Sequence, residues 1–152
     1  MHRKNYIFYV LIPLIMFGAS GNIFAQFSKI PDGRVDRERL NIAETISKSI
    51  MEGVRSGNIY LLSPDEATPA MMEGLNPERQ MTVYTQLKDE FGPYQSLAFY
   101  EALIPDEKPQ YTLYRFKGNF DKPGIAEIRA VLDIDGRLAG FWVLRWQDEI
   151  SE

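Results

Sequence analysis

Apolar residues recur at helical spacing in a first stretch of the chain. They lie three or four residues apart, at Leu40, Ala43, Ile46, Ile50 and Val54. Asp36 precedes this stretch and suits the N-cap position of a helix. Gly57-Asn58 follows it and is typical of a helix end. We therefore predict an amphipathic helix between Asp36 and Gly57.

A second helix is predicted between Asn76 and Gly92. Asn76 suits the N-cap, and Pro77 follows at the first helical position, where a missing N–H is tolerated. Apolar residues again recur three and four apart, and Gly92-Pro93 supplies a C-cap glycine followed by a helix-breaking proline. This helix has the most clearly marked ends in the sequence.

Between these helices, one short motif indicates a local turn. Ser63, Pro64 and Glu66 have the spacing of a capping box, in which the serine caps the backbone and the glutamate reaches back to it. We predict a short helical turn here that ends before Pro69.

From Tyr94 onward the pattern changes to apolar and aromatic runs separated by turn residues. The runs are 94–103, 111–120, 125–132 and 138–146. Helices followed by strands predict an α+β fold, with N-terminal helices packed on a curved, four-stranded or slightly larger antiparallel sheet. We assign one domain to residues 36–148 and interpret residues 26–35 as a flexible lead.

The last hairpin allows its register to be predicted. Asp133 to Gly136 suits a type I turn, which would pair Asp133 with Arg137. Continuing that register pairs Leu132 with Leu138, Ala130 with Gly140, Ile128 with Trp142 and Ala126 with Leu144. These apolar or small residues would share one face of the sheet. The other face would hold Glu127, Arg129 and Arg145 among Val131, Phe141 and Val143.

The N-terminus has the organisation of a secretory signal peptide. Arg3 and Lys4 precede an apolar run from Ile7 to Phe17, and small residues follow up to Ala25. We expect cleavage after Ala25, with a cut after Gly21 as the second choice. A permanent anchor is less favoured, because a spanning helix needs roughly 20 apolar residues. The protein is therefore expected to be exported, to the periplasm or the extracellular medium.

Composition narrows the chemistry of the exported part. Without Arg3 and Lys4, 15 basic residues remain against 21 acidic ones, a net charge of −6, which disfavours nucleic acids and anionic membranes as partners. There is no cysteine, and the single histidine, His2, lies in the expected signal peptide. These absences argue against Ser-His-Asp or Cys-His catalysis and the usual zinc sites. We expect no metal and no cofactor, and any catalysis would use Asp, Glu, Lys or Tyr.

Three stretches, together with the order of elements, carry a resemblance to a known superfamily. They are residues 91–97 (FGPYQSL), 114–120 (YRFKGNF) and 131–142 (VLDIDGRLAGFW). From Asp36 to Trp146 the chain resembles the nuclear transport factor 2-like superfamily, most closely its small exported bacterial domains. The resemblance implies a cystatin-like cone, a pocket between the concave sheet face and the helices, and pairing into homodimers through the sheet. Because the superfamily includes isomerases, dehydratases, enzyme subunits and binding modules, the fold does not select one function.

Two groups of residues are candidate sites. Aromatic residues that could line the implied pocket, if they are not plain core, are Tyr60, Tyr84, Phe99, Tyr114, Phe116 and Trp142. A docking face, if it is not simply a solvated sheet surface, would consist of Arg129, Phe141, Val143 and Arg145, near Arg115 and Lys117. Glu127 is expected to be exposed to solvent, the face occupied by Glu101 is undecided, and neither is expected to be catalytic.

Three functions remain open. The first is an exported, non-catalytic module that binds a small apolar ligand or a protein partner. The second is a small isomerase- or dehydratase-like enzyme that moves protons with Asp or Glu and Tyr. The third is a structural homodimer.

Overall fold

The computed structural model describes residues 26–150, which form three α-helices packed against a five-stranded antiparallel sheet. The helices are α1 (Arg37–Ser56), α2 (Pro69–Gly74) and α3 (Pro77–Phe91). The strands are β1 (Phe27–Lys29), β2 (Tyr94–Pro105), β3 (Thr112–Phe120), β4 (Ile125–Leu132) and β5 (Leu138–Arg145), and they lie side by side in chain order. The predicted α+β class is confirmed. The predicted signal peptide, residues 1–25, lies outside the described residues.

The ends of α1 follow from its sequence. The Asp36 side chain accepts hydrogen bonds from the N–H groups of Glu38 and Arg39, which have no partner within the helix. At the other end Gly57 adopts a φ of 77°, a left-handed conformation that glycine reaches without strain, and its N–H donates to the Gly53 carbonyl. The predicted limits of this helix are confirmed.

The ends of α3 were also predicted correctly. Asn76 Oδ1 accepts a hydrogen bond from the N–H of Arg79, and Pro77 occupies the first turn. Gly92 is the C-cap, and its N–H donates to the carbonyl of Lys88.

The turn at Ser63 forms, but the chain then continues into a helix that was not predicted. Glu66 reaches back and accepts a hydrogen bond from the N–H of Ser63, which is the glutamate half of a capping box, and it also accepts from the Ser63 hydroxyl. The turn ends before Pro69, as predicted, and Pro69 then begins α2. The hydroxyl of Thr68 caps this helix by accepting from the N–H of Met71, and proline is well suited to its first turn.

The segment interpreted as a flexible lead contains an edge strand. Phe27 lies opposite Pro105 and Lys29 opposite Leu103, and the Asp106 N–H donates to the Gln26 carbonyl. This strand was not predicted because three residues at a sheet edge are held by backbone pairing and show no apolar alternation. Residues 27–29 therefore belong to the sheet edge, and residues 32–34 form a short 3-10 helix.

The predicted turn of the last hairpin is confirmed, but the register beyond it is shifted. The Asp133 N–H donates to the Arg137 carbonyl at 2.9 Å, and Gly136 has a φ of 80°. Leu132 lies opposite Leu138 as predicted. An irregularity then places Val131 opposite Gly140, Arg129 opposite Trp142 and Ile128 opposite Val143. Because side chains alternate along a strand, this one-residue shift exchanges the faces of β5.

The sheet therefore has an inner face against the helices and an outer face on the opposite side. The inner face belongs to a core that includes Tyr114, Phe116, Ile128, Phe141 and Val143. Residues that alternate with these point outward and form the outer face, namely Glu101, Leu113, Arg115, Lys117, Glu127, Arg129, Val131 and Trp142. Across residues 26–150, no helix has the length and apolar character needed to cross a membrane.

Candidate functional site

The six aromatic residues predicted to line one pocket are divided between the two faces of the sheet. Tyr84, Tyr114 and Phe116 are buried in the core, and Tyr60 and Phe99 pack against it. Trp142 lies on the outer face, opposite Arg129, with its ring over Gly140. The shifted register of β5 places Trp142 there, so the six residues do not surround one common space.

The hydroxyls of Tyr84 and Tyr60 on the helix side are engaged in structural hydrogen bonds. Tyr84 donates to Gln80 Oε1 at 2.8 Å, and Gln80 Nε2 donates to the carbonyls of Tyr60 and Leu75. Burial raises the pKa of Tyr84 to about 12. These bonds join α3 to the segment that precedes α2 and to Leu75 at the end of α2.

Tyr60 and Glu66 form a second hydrogen bond on the helix side, in which the tyrosine hydroxyl donates to the carboxylate. Burial by itself would raise the pKa of Glu66, but hydrogen bonds from Tyr60 and Ser63 outweigh it, and the pKa is lowered. The same hydrogen bond raises the pKa of Tyr60, with burial adding to the effect. Both changes stabilise a charged Glu66 and a neutral Tyr60 at neutral pH.

The predicted docking face is wrong for two of its four residues. Phe141 and Val143 are only 1% and 2% exposed and belong to the core, because the irregularity in the β4–β5 pairing turns them inward. Arg145 is exposed at the end of β5 and pairs with Glu90 of α3. Only Arg129 remains on the outer face.

A buried ion network, which the sequence did not reveal, occupies the outer face. Arg115 donates to both carboxylate oxygens of Glu127, from Nε at 2.7 Å and from Nη2 at 3.0 Å. Its Nη1 donates to Glu101 Oε1 at 2.5 Å. Arg129 Nε donates to Glu127 Oε1 at 2.5 Å. These four residues, Glu101, Arg115, Glu127 and Arg129, are called the Arg115 cluster below.

The burial of Glu127 corrects the prediction that it is exposed. Neither Glu127 nor Arg115 has any exposed side-chain surface. The register places Glu101 opposite Arg115 and Arg115 opposite Arg129, so three neighbouring strands contribute to one row of charges. The sequence signal for this cluster is the presence of opposite charges at outward positions of successive strands. Recognising which of these charges lie opposite one another requires the registers of two hairpins, β2–β3 and β3–β4.

Both ions of the central pair keep their charge at neutral pH. Burial favours the neutral forms, but hydrogen bonds and charge attraction within the cluster are stronger. As a result the pKa of Glu127 is lowered and the pKa of Arg115 is raised. The oxygens of Glu127 are occupied by hydrogen bonds from Arg115 and Arg129, which makes this carboxylate a structural anion.

The C-terminal segment, residues 146–150, covers the Arg115 cluster. Gln147 accepts a hydrogen bond through its carbonyl from Arg115 Nη2 at 2.5 Å. The Trp146 ring centroid lies 4.9 Å from Arg115 Cζ and 4.6 Å from Lys117 Nζ. Trp146 also packs edge-on against Tyr100, with ring centroids 4.7 Å apart. Cation–π contacts of this kind are strengthened by desolvation.

The position of Tyr100 follows from an irregularity in β2. Phe99 lies opposite Phe116 and Glu101 opposite Arg115, so Tyr100 is an extra residue between two paired positions. Its ring reaches the cluster, 5.4 Å from Arg115 Cζ and 4.7 Å from Lys117 Nζ, and remains 40% exposed. The bulge thereby adds an aromatic wall to the charged row.

The outer face is locally positive although the chain as a whole carries a net charge of −4. Three cations, Arg115, Lys117 and Arg129, stand against the two carboxylates of the cluster. Within residues 26–150, Nη2 of Arg129 is buried and has no hydrogen-bond partner. Arg129 is thus held in place by Glu127 while this second nitrogen has no acceptor among the described residues.

The described part of the chain contains no cluster of side chains suited to binding a metal ion. Among residues 26–150, no three His, Cys, Asp or Glu side chains come together as a group that could hold a metal ion.

No protein-family model matches the chain, and the searches of curated proteins and solved structures also give no match.

Proposed function

We propose that the protein is an exported, non-catalytic binding module that docks a protein partner through its outer face. The observation that carries this proposal is the Arg115 cluster beneath Tyr100 and Trp146, on the side of the sheet opposite the helices. Arginine, tyrosine and tryptophan are the side chains most enriched at the energetic centres of protein interfaces. Export is proposed from the signal-peptide pattern of residues 1–25.

The chemistry of the buried groups favours binding over proton transfer. A general base needs a free lone pair within reach of its substrate. Glu127 accepts from two arginines, and the oxygens of Glu101 face Arg115 and Lys29. Burial raises the pKa values of Tyr84 and Tyr94 to about 12, which keeps both phenols neutral.

A protein partner is favoured over a small apolar ligand. The aromatic residues expected around a pocket are split between the core and the outer face. The outer face instead combines half-exposed aromatic rings with an excess of positive charge. A partner that presents carboxylates beside apolar groups would complement this surface in both respects.

The element order also supports a nuclear transport factor 2-like cone as the finer description of the fold. Apart from the short β1, the helices precede the strands of the sheet, and the strands lie side by side in chain order. The same resemblance also implies an alternative function, in which two copies pair through the sheet. The experiment below distinguishes this homodimer from docking of a different protein.

Native mass spectrometry of the protein isolated from its own compartment tests the proposal. We expect a co-purifying protein that Tyr100→Ala releases. Met81→Ala, an exposed position on α3, is the matched control and should retain that protein. A co-purifying small molecule, or a homodimer unaffected by Tyr100→Ala, would contradict docking through the outer face.

A further inference from the structure

We propose that the outer face binds an extended segment of a partner protein that has the chemistry of this chain's own C-terminal segment. That chemistry is an aromatic ring followed by a backbone carbonyl and an acidic side chain. Residues 146–150 would occupy the site until the partner segment displaces them. This inference rests on the proposed function and specifies both the partner and its regulation.

The contacts of the C-terminal segment define what the site recognises. The Trp146 ring packs against Tyr100 and contacts the cations of Arg115 and Lys117. The next residue, Gln147, offers a carbonyl to Arg115 Nη2. Asp148 then accepts a hydrogen bond from the indole N–H of Trp146, which fixes the ring orientation. Any segment with this order of groups can make the same contacts.

The segment is placed so that it can leave without opening the sheet. The Trp146 N–H donates to the Ile125 carbonyl as the ladder ends, and residues 147–150 continue in neither helix nor strand. Segments held outside the regular elements open at lower free energy than core strands. The C-terminal segment is therefore the part of this face most readily exchanged.

The Arg115 cluster would keep its shape when the segment leaves. Arg115 makes three further hydrogen bonds, two to Glu127 and one to Glu101, and all three come from strands. A site whose donors are already oriented loses little conformational freedom on binding. Release would expose one Arg115 donor toward the incoming carbonyl.

Charge complementarity favours an acidic partner segment. Lys117 and Arg129 lie on the outer face, where Lys117 contacts the Trp146 ring, and Arg129 Nη2 has no acceptor within the described residues. An incoming segment with carboxylates would be attracted to these cations. Screening by salt would weaken such a complex.

The test uses the full chain carrying Trp146→Ala and a fluorescein-labelled peptide with the sequence of residues 145–152, RWQDEISE. Wild-type chain should bind this peptide weakly, because its own segment competes at the high effective concentration of a tethered ligand. The variant should bind it about tenfold more tightly in fluorescence anisotropy. Equal binding by both folded proteins, checked by far-UV circular dichroism, would overturn the inference.

Two controls define the contacts. A peptide in which alanine replaces tryptophan should not bind, and adding Tyr100→Ala to the Trp146→Ala chain should abolish binding. Adding Met81→Ala instead should leave binding unchanged. If the alanine peptide binds as well as the original, the face does not select an aromatic ring and the inference is wrong.

Hydrogen exchange in the wild-type chain provides a test that needs no variant. The amides of residues 147–150 should exchange through local opening, well before those of β5. Exchange of both regions only on global unfolding would overturn displacement. A co-purifying partner found alongside failure of the peptide test would overturn this inference alone and leave the proposed function standing.

Discussion

Arg115 and Glu127 form a two-pronged ion pair across β3 and β4, with Nε–Oε1 and Nη2–Oε2 distances of 2.7 and 3.0 Å. Both side chains are fully buried on a sheet face that the helices do not cover. Two charges without contact with water are stable only while each neutralises the other. Removing either residue should therefore lower the stability of the fold, because the other charge would remain buried without a partner.

Glu127→Gln should destabilise the protein strongly, because it leaves the buried Arg115 guanidinium without its anion. We expect a loss of about 3–5 kcal/mol in the free energy of unfolding, measured by urea denaturation. Glu52→Gln, which removes an exposed i,i+3 partner of Arg55, should change it by less than about 1 kcal/mol. A loss below 1 kcal/mol for Glu127→Gln would show that water reaches the pair.

Acid should weaken the protein in part through Glu127. Its pKa in the folded state lies below the ordinary value of 4.5, so the folded state favours the charged form. That contribution is present above pH 4.5 and is lost as the pH falls through the lowered folded pKa. Denaturation at a series of pH values should show a shallower acid decline for Glu127→Gln than for wild type. Parallel declines would contradict the assignment.

Gly53→Ala should destabilise α1 packing even though alanine favours helices. A Cβ at Gly53 would lie 2.2 Å from the Tyr84 ring and 2.5 Å from the Asn58 carbonyl oxygen. Helix propensity alone predicts a gain of about 1 kcal/mol, whereas overpacking costs about 1–3 kcal/mol. Thermal unfolding should therefore show a lower Tm. Gly33→Ala, where a Cβ meets nothing within 4 Å, should leave the Tm close to wild type.

Arg39→Ala should loosen the last hairpin from α1. The Arg39 guanidinium donates to the carbonyls of Asp133 at 2.6 Å and Ile134 at 3.1 Å, which ties the first helix to the β4–β5 turn. Hydrogen bonds from a charged donor contribute about 1.5–3 kcal/mol. We expect a loss near the lower end of that range and faster amide exchange at Asp135 and Gly136. The neighbouring exposed Arg37→Ala is the control and should change neither quantity.

The helix ends were predictable because their causes are local. Asp36, Asn76 and Gly57 act on backbone groups within four residues of themselves, so a window of sequence contains both partners. The turn at Asp133 was predictable for the same reason. α2 was missed because Pro69 can either end one turn or begin the next helix, and the choice depends on Thr68.

The candidate site was not predictable in the same way. Which face of the sheet Phe141 and Trp142 occupy depends on an irregularity between Val131 and Leu132. No residue type at these positions indicates that irregularity. Burial of Arg115 requires partners from β2 and β4 and a cover from residues 146–150. Sequence shows that each of these residues is charged or aromatic, but only the fold brings them together.

The two irregularities of β2 affect how readily this strand could pair with a strand from a second copy of the protein. One lies between Tyr94 and Ser96, the other between Phe99 and Glu101, while the short β1 covers the far end of the strand beside Lys29. A bent edge with a charged neighbour is a poor template for a further strand. The exposed part of the β2 edge is therefore poorly suited to pair with a strand of a second copy.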